Sequence, residues 1–315
     1  IDTLLNIGVE RLRWSPEKSA LEPAPAPDPL RGKVGADGTA ARQAVAAAGV
    51  IEPTEATTER RRQREMLSHQ RASLEVCERQ FSSASRAYRQ ALDAVRTRPE
   101  AARTQVAEVV DGMVGTIIDN EEPAIRLLSE NIGERTAQHS VNVTVISLLL
   151  GNALGLDATA LHALGTGALL HDIGKLELPE RLRWEGAHFT AAERMQYQAH
   201  IAHGLALGQK MQLPADMLAI IEQHHEMADG GGYPHRLAGE QIILLARIVA
   251  LVNHYDNLCN PANPIHAITP HEALARIFAQ ARHQFNSRIL MSLIHMMGVY
   301  PPGSVVELSD GRMAL

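Results

Sequence analysis

The sequence predicts an almost entirely α-helical fold from residue 100 to about residue 298, ending in a small C-terminal β-hairpin and preceded by a partly disordered, partly helical N-terminal region. Three observations carry this expectation. Apolar residues recur at i, i+3, i+4 and i+7 through successive segments. Capping residues and first-turn prolines punctuate the chain at helical intervals. Alternation of period two appears only in "SVVELSDGRMAL", around an Asp-Gly turn. With 315 residues, 45% hydrophobic but only 3% aromatic, the core must be built from Leu, Ile, Val, Ala and Met. The length suits one large domain with an appendage, or two modest domains.

Residues 1–57 read as an N-terminal segment and linker. "EPAPAPDP" at 22–29 favours extended polyproline backbone, and "GKVGADG" follows it. From Thr54 to Arg98 there is no Gly or Pro, and the segment is rich in helix formers, so 58–98 reads as a long polar helix. Its Arg60, Arg61, Arg62 and Arg64 are balanced in part by Glu59 and Glu65, as on a solvated face. Pro99 opens the next helix, whose Val106, Val109, Val110, Met113, Val114 and Ile117 form a core-facing stripe. Pro123 starts a short helix, and another runs over 134–152. Asp157 caps a helix from Ala158. Thr190 and Glu193 make a capping box for a helix carrying His200, and Pro214 starts one ending near His225. A helix spans about 241–258, and Thr269 with Pro270 starts the last.

A net charge of −6 argues against a general nucleic-acid binder but leaves room for a small phosphorylated ligand. Cys77 and Cys259 form no CxxC pair or disulfide framework, which points to a reducing, cytoplasmic compartment. No apolar run reaches the roughly 18–20 residues of a membrane span, and no signal peptide is visible. The chain begins at Ile1 rather than Met, consistent with a fragment or processed product.

Histidine is concentrated in the back of the chain: of 15, only His69 lies before residue 139. In "LLHDIGK", His171 and Asp172 end an apolar helix, Gly174 breaks it, and Lys175 follows within reach of an anion. A lone His-Asp pair is commonly a solvated helix end. Here His139, His200 and the pair His224/His225 sit on other helices, each where apolar periodicity meets polar sequence. Imidazoles with a carboxylate suit Fe, Mn, Zn or Ni, so the set points to a dispersed binuclear metal site. The alternative, that these are separate core and surface histidines, stays open on spacing alone.

"HDIGK" at 171–175, His200 with Gly204 four residues on, and "HHEMADGGGYP" at 224–234 together resemble the HD-GYP domain, a branch of the HD superfamily of metal-dependent phosphohydrolases. "HSVNV" at 139–143, the helix at 239–258 and "GVYPPGSVVELSDG" at 298–311 extend the resemblance over roughly residues 100–315. It implies an HD-superfamily helical bundle over 99–315 and hydrolysis of cyclic di-GMP to pGpG or GMP. It also implies two divalent transition-metal ions, Fe or Mn first, with Zn or Ni as alternatives. His139, His171 and Asp172 would hold one ion. Asp172 would bridge to a second, held by His200, His224 and His225. Two metals about 3.5–4 Å apart can present a hydroxide for in-line attack and stabilise phosphoryl oxygens. The same resemblance gives Lys175 a role on the scissile phosphate or leaving group beside the catalytic Asp172, and places Gly232, Tyr233 and Pro234 on the substrate side.

The sequence departs from the family pattern at three places. Asn253 stands where the family usually has a final Asp ligand; Asp256, one turn on, matches the family's second Asp and is a candidate to compensate as a ligand. "ANPI" at 262–265 lacks the basic residues of an "RPYR"-like segment. Arg135 replaces a Glu that recruits a third metal in some members, so two ions are expected. Two other readings stand beside the phosphodiesterase. One is a binding or scaffold module acting through partners such as diguanylate cyclases (GGDEF) or adaptors. The other is an HD phosphohydrolase for another nucleotide. The 54–98 helix is a candidate for homodimerisation or signal relay.

Overall fold

The structure, a computed structural model, describes residues 55–119, 135–184, 189–298, 306–307 and 312–314. The expected linker up to residue 54, the helix at Pro123 and the Asp310-Gly311 turn lie outside the described residues. The Gly- and Pro-free stretch forms α1 (Glu55–Ala94), and Pro99 is the first residue of α2 (Pro99–Asp119). There follow α3 (Arg135–Ala153), α4 (Ala158–Leu170), α5 (Ala191–Gln198), α6 (His200–Lys210) and α7 (Ala215–Gln223). The bundle continues with α8 (Leu244–Cys259), α9 (Pro270–Arg276) and α10 (Ser287–Met297).

Local chemistry sets many of these boundaries. The Asp157 side chain accepts from the Ala160 amide at 2.8 Å and caps α4. Thr190 with Glu193, and Thr269 with Glu272, close complete capping boxes. The single helix expected from Thr190 through His200 is instead two. Ala199 separates α5 from α6, and the Tyr197 carbonyl, which a continuous ladder would use, accepts from the His200 imidazole at 2.6 Å. A side chain bonding its neighbouring backbone competes with the helical ladder, and here it marks the break.

Two apolar cores flank a central pair of helices. Ala137, Val141 and Leu148 on one face of α3 join Leu169 and Leu170 of α4, Val106 and Val110 of α2, and Tyr88 and Ala91 of α1. Val143, Ile146 and Leu150 on the other face join Leu164 of α4, Ile248 and Val252 of α8, and Leu293 of α10. A helix apolar on both faces belongs in the middle of a bundle. The C-terminal end of α4 is therefore held from both sides, and His171 and Asp172 follow it directly. Among the described residues no helix is long and apolar enough to cross a membrane.

The chain divides into two compact units, and the helices just described from Leu74 onward fall within Leu74–Ser304. The β-hairpin expected to close the helical domain is corrected here. This unit contains no β-strand among its described residues, only an isolated bridge between Asp229 and Ala238. Val306–Glu307 and Met313–Ala314 do pair antiparallel, but they belong to the other unit and contribute only two residues each. That is shorter than the usual strand of about 3–10 residues. An Asp-Gly turn signal is local, and it does not supply the ladder that a hairpin needs.

Leu170 is fully buried beside the site, so Leu170→Ala is expected to lower stability by about 2–5 kcal/mol. Asp157→Ala, which removes only a cap, is expected to lower it by about 1 kcal/mol. Urea unfolding of the two variants measures both.

Candidate metal centre

The residues singled out in the sequence meet around one carboxylate. Asp172, 5% exposed, follows the C-cap of α4. His171 Nε2 lies 3.3 Å and His139 Nε2 3.6 Å from its Oδ2, while His200 Nε2 lies 3.6 Å and His224 Nε2 3.7 Å from its Oδ1. The donor atoms form two groups sharing Asp172. One is His139, His171 and Asp172; the other is Asp172, His200, His224 and His225. Within each group all donors lie within 4.8 Å of one another.

The backbone decides which imidazole nitrogen faces inward. His171, His200 and His224 each donate Nδ1–H to the carbonyl three residues earlier: Ala168 at 2.7 Å, Tyr197 at 2.6 Å and Ile221 at 2.9 Å. His139 donates Nδ1–H to Asp256 Oδ2 at 2.6 Å. With Nδ1 carrying the proton, each Nε2 presents a lone pair to the centre. The Nε2 atoms of these four histidines and of His225, together with Asp172 Oδ1, are buried without a hydrogen-bond partner. So many buried acceptors in one place are costly unless a cation takes them. Two ligands about 2.1 Å from one ion would be separated by roughly 3.0–3.4 Å at tetrahedral or octahedral angles, close to the spacings present. The residues fit a pair of metal ions.

Electrostatics agree. Burial lowers His171 to about 4 and His200 to about 3, despite the opposing pull of Asp172, and also holds His225 well below the ordinary histidine value. Burial pushes the Asp172 carboxyl up, but Lys175 and then His171 outweigh it and hold it well below the usual range. Lys175 Nζ donates to Asp172 Oδ2 at 2.6 Å. Burial disfavours its charge, yet Asp172 raises its pKa above the ordinary lysine value. Its ammonium also lies 5.4 Å from the Trp184 ring centre and 5.2 Å from that of Tyr197, within cation–π range.

Close backbone approach brings the two halves together. A Cβ on Gly174 would overlap the His200 carbonyl and the Gly204 amide, so "HDIGK" and α6 touch main chain to main chain. Gly232 likewise packs on the backbone of His225, Glu226 and Met227, where a side chain has no room. Gly230, at φ 76°, turns the loop between. Glu226 then holds the loop's far side: its carboxylate accepts from the His235 amide at 2.6 Å and the Leu237 amide at 2.9 Å.

Tyr233 stacks on His225 at 4.6 Å and lines a cavity of about 530 Å³ with Lys175, Tyr197, His224, His225 and Asn253. Pro234 is exposed and does not line this cavity. The Asn253 amide oxygen accepts from Asn257 at 2.8 Å. Ala262 lines the same cavity.

Sequence reasoning missed several contributors. Asp256, weighed there only as a substitute ligand, instead orients His139 and accepts from Asn142 at 3.1 Å and Asn260 at 2.8 Å. Its pairing with His139 spans 117 positions, and no local pattern announces it. Glu226, Trp184 and Tyr197 were also passed over. The position of Tyr197 three residues before His200 was the one available signal.

A helical bundle that gathers five imidazoles and a shared carboxylate under a cavity defines a divalent-metal centre of phosphohydrolase type. The sequence model of the HD domain matches residues 117–289, more than half of the chain. The chain belongs to this family of metal-dependent phosphohydrolases, and its motifs place it with the HD-GYP type. It is 29% identical over 211 residues to a cyclic di-GMP phosphodiesterase of Pseudomonas aeruginosa, covering 66% of this chain and 51% of that protein. It is 30% identical over 148 residues to a 3'3'-cGAMP-specific phosphodiesterase of Vibrio cholerae, covering 47% of this chain and 32% of that protein. The chain thus spans about half or less of the length of these relatives. The structure of an HDG"Y"P protein from Bdellovibrio bacteriovorus shares the fold, with a TM-score of 0.60 at 20% identity over 70% of this chain and 71% of that one.

Two outcomes follow from this geometry. Asp256→Asn keeps the shape but weakens the acceptor that orients His139, and metal affinity is expected to fall about 10–100-fold in a chelator competition. In metal-stripped protein, the unfolded chain binds protons below about 6.5 that folded His171 and His200 refuse down to about 4 and about 3. Stability therefore rises with pH from about 3 to 6.5, by several kcal/mol, and is level above. Urea midpoints from pH 4.5 to 7.5 check this; a flat profile would contradict it.

Proposed function

We propose that this chain is a metal-dependent phosphodiesterase that hydrolyses cyclic di-GMP to pGpG or GMP. The observation that carries this reading is the set of orphaned Nε2 atoms converging on Asp172 beside the 530 Å³ cavity. His139, His171 and Asp172 would hold one ion, and Asp172, His200, His224 and His225 the other, with Asn253 as a further, neutral ligand. Mixed imidazole and carboxylate donors suit Fe or Mn, with Zn or Ni as alternatives. Such a pair supplies Lewis acidity toward phosphoryl oxygens and lowers the pKa of water.

The residues of the chain do the rest. Asp172 stays ionised and supplies the negative charge between the two groups. Lys175, kept protonated by Asp172, acts as a fixed cation and hydrogen-bond donor toward the phosphate and the leaving oxygen, not as a base. Tyr233, locked on His225 by stacking, forms an aromatic wall for a nucleobase, and Gly232 lets the loop lie close enough to bring it there. The named activity of the Pseudomonas relative supports cyclic di-GMP. The Vibrio relative favours 3'3'-cGAMP as the second reading. A role in cyclic di-GMP signalling, beside diguanylate cyclases or adaptors, follows from the first.

Anaerobically purified protein is expected to carry about two Fe or Mn per chain and to cleave cyclic di-GMP faster than 3'3'-cGAMP. Asp172→Ala should remove both metal and activity, and Asn253→Asp should bind metal more tightly and turn over faster. Metal analysis with product chromatography decides it. Metal-loaded wild type that leaves cyclic di-GMP intact over hours would overturn the proposal, and an Asn253→Asp variant with no gain would exclude Asn253 as a ligand.

A further inference from the structure

A second, smaller cavity of about 240 Å³ reaches the centre from its His139 end and shares Asp172, Lys175 and Trp184 with the site. Two arginines line it: Arg89 from α1, and Arg183 just before Trp184. Both are half-buried. Arg89 Nε donates to the Ser85 carbonyl at 3.4 Å and Arg183 Nε to the Leu178 carbonyl at 3.3 Å. These bonds use the Nε–H of each guanidinium and leave its terminal N–H groups available to a ligand. Among the described residues neither guanidinium is in an ion pair.

The charge balance is positive before any metal is counted. Lys175 and Asp172 offset one another at 2.6 Å. Asp93, the remaining carboxylate in the lining, is exposed and lies one turn from Arg89 without pairing to it. The position of Arg89 is also built rather than incidental. Tyr88 and Ala91 beside it are buried in the core, and Arg96 ties the end of α1 to the segment after Lys175, with Nε 2.8 Å from Glu177 Oε1 and a terminal nitrogen 2.7 Å from the Leu176 carbonyl.

We propose that this cavity is a phosphate-binding arm of the active site, in which Arg89 and Arg183 grip a phosphoryl group of the nucleotide. The assignment of a nucleotide rests on the function proposed above; the anion site itself rests on the cavity. Its volume lies below the roughly 300–1,000 Å³ of sites that enclose a whole drug-sized ligand, so it takes a part of the ligand while the larger cavity takes the body. Planar guanidinium forks match phosphate oxygens and give direction as well as charge. Arg89 precedes the matched residues 117–289. In this chain, therefore, the helix ahead of the family domain supplies part of the site.

The test is calorimetry with inorganic phosphate on the metal-loaded full chain, comparing wild type with Arg89→Gln, Arg183→Gln and the double variant, with metal content measured on the same samples. Metal content is expected to stay unchanged while phosphate affinity falls about tenfold for each arginine. Lysine at either position should recover part of the loss, and KM for the cyclic dinucleotide should rise with kcat held. Equal phosphate affinity in the double variant and wild type overturns the arm. So does loss of metal together with phosphate, because the arginines would then be supporting the centre. A wild type that cleaves no cyclic dinucleotide but binds phosphate through these arginines upholds the arm while sinking the substrate assignment.

Discussion

His171, His200 and His224 each spend their Nδ1 proton on the carbonyl three residues earlier in their own chain segment. That one local bond, repeated three times, fixes the tautomer and the ring direction together. It also requires each histidine to sit at a helix terminus, where a carbonyl is not committed to the ladder. The rest of the larger unit serves this condition: α4 ends where His171 must be, α5 breaks at Ala199 so that His200 can reach back, and α7 ends at Gln223 just before His224.

Bringing three such ends to a single carboxylate demands that backbone, rather than side chain, meet at the centre. The contacts of Gly174 with α6 and of Gly232 with the His225–Met227 segment are where this happens. The two cores on either side of α3 and α4 supply the apolar burial that holds buried, uncompensated polar atoms in place. A centre built this way is rigid because its supports are packed from both faces, and a loose one would let the imidazoles find each other or water instead.

Much of this was legible in the sequence because it is local. Asp157, Thr190 and Thr269 announce their helices through bonds to amides within three positions, and the stripe of α2 needs only a period of 3.6. The histidines stood out because each falls at the edge of an apolar helix, and the structure brings all of those named, with Asp172, to one place. What sequence could not show was pairing across the chain. Asp256 is one turn from Asn253, and that proximity suggested a substitute ligand; only the packing of α8 against α3 shows that it serves His139. The break at Ala199 was hidden because the residue remains helical in its own dihedrals. The Asp-Gly signal near the C-terminus overstated a strand pair two residues deep, since a turn motif carries no information about the surface that its flanks must find.

The locked tautomers have one more effect. A ligand set that must shed protons before it can coordinate makes metal uptake a contest with acid, and each loading event acidifies its surroundings. Here the Nδ1–H groups of His171, His200 and His224 point away to backbone carbonyls, and burial keeps the inward nitrogens of His171, His200 and His225 from taking a proton at neutral pH. Those histidines have no proton to give up before an ion binds.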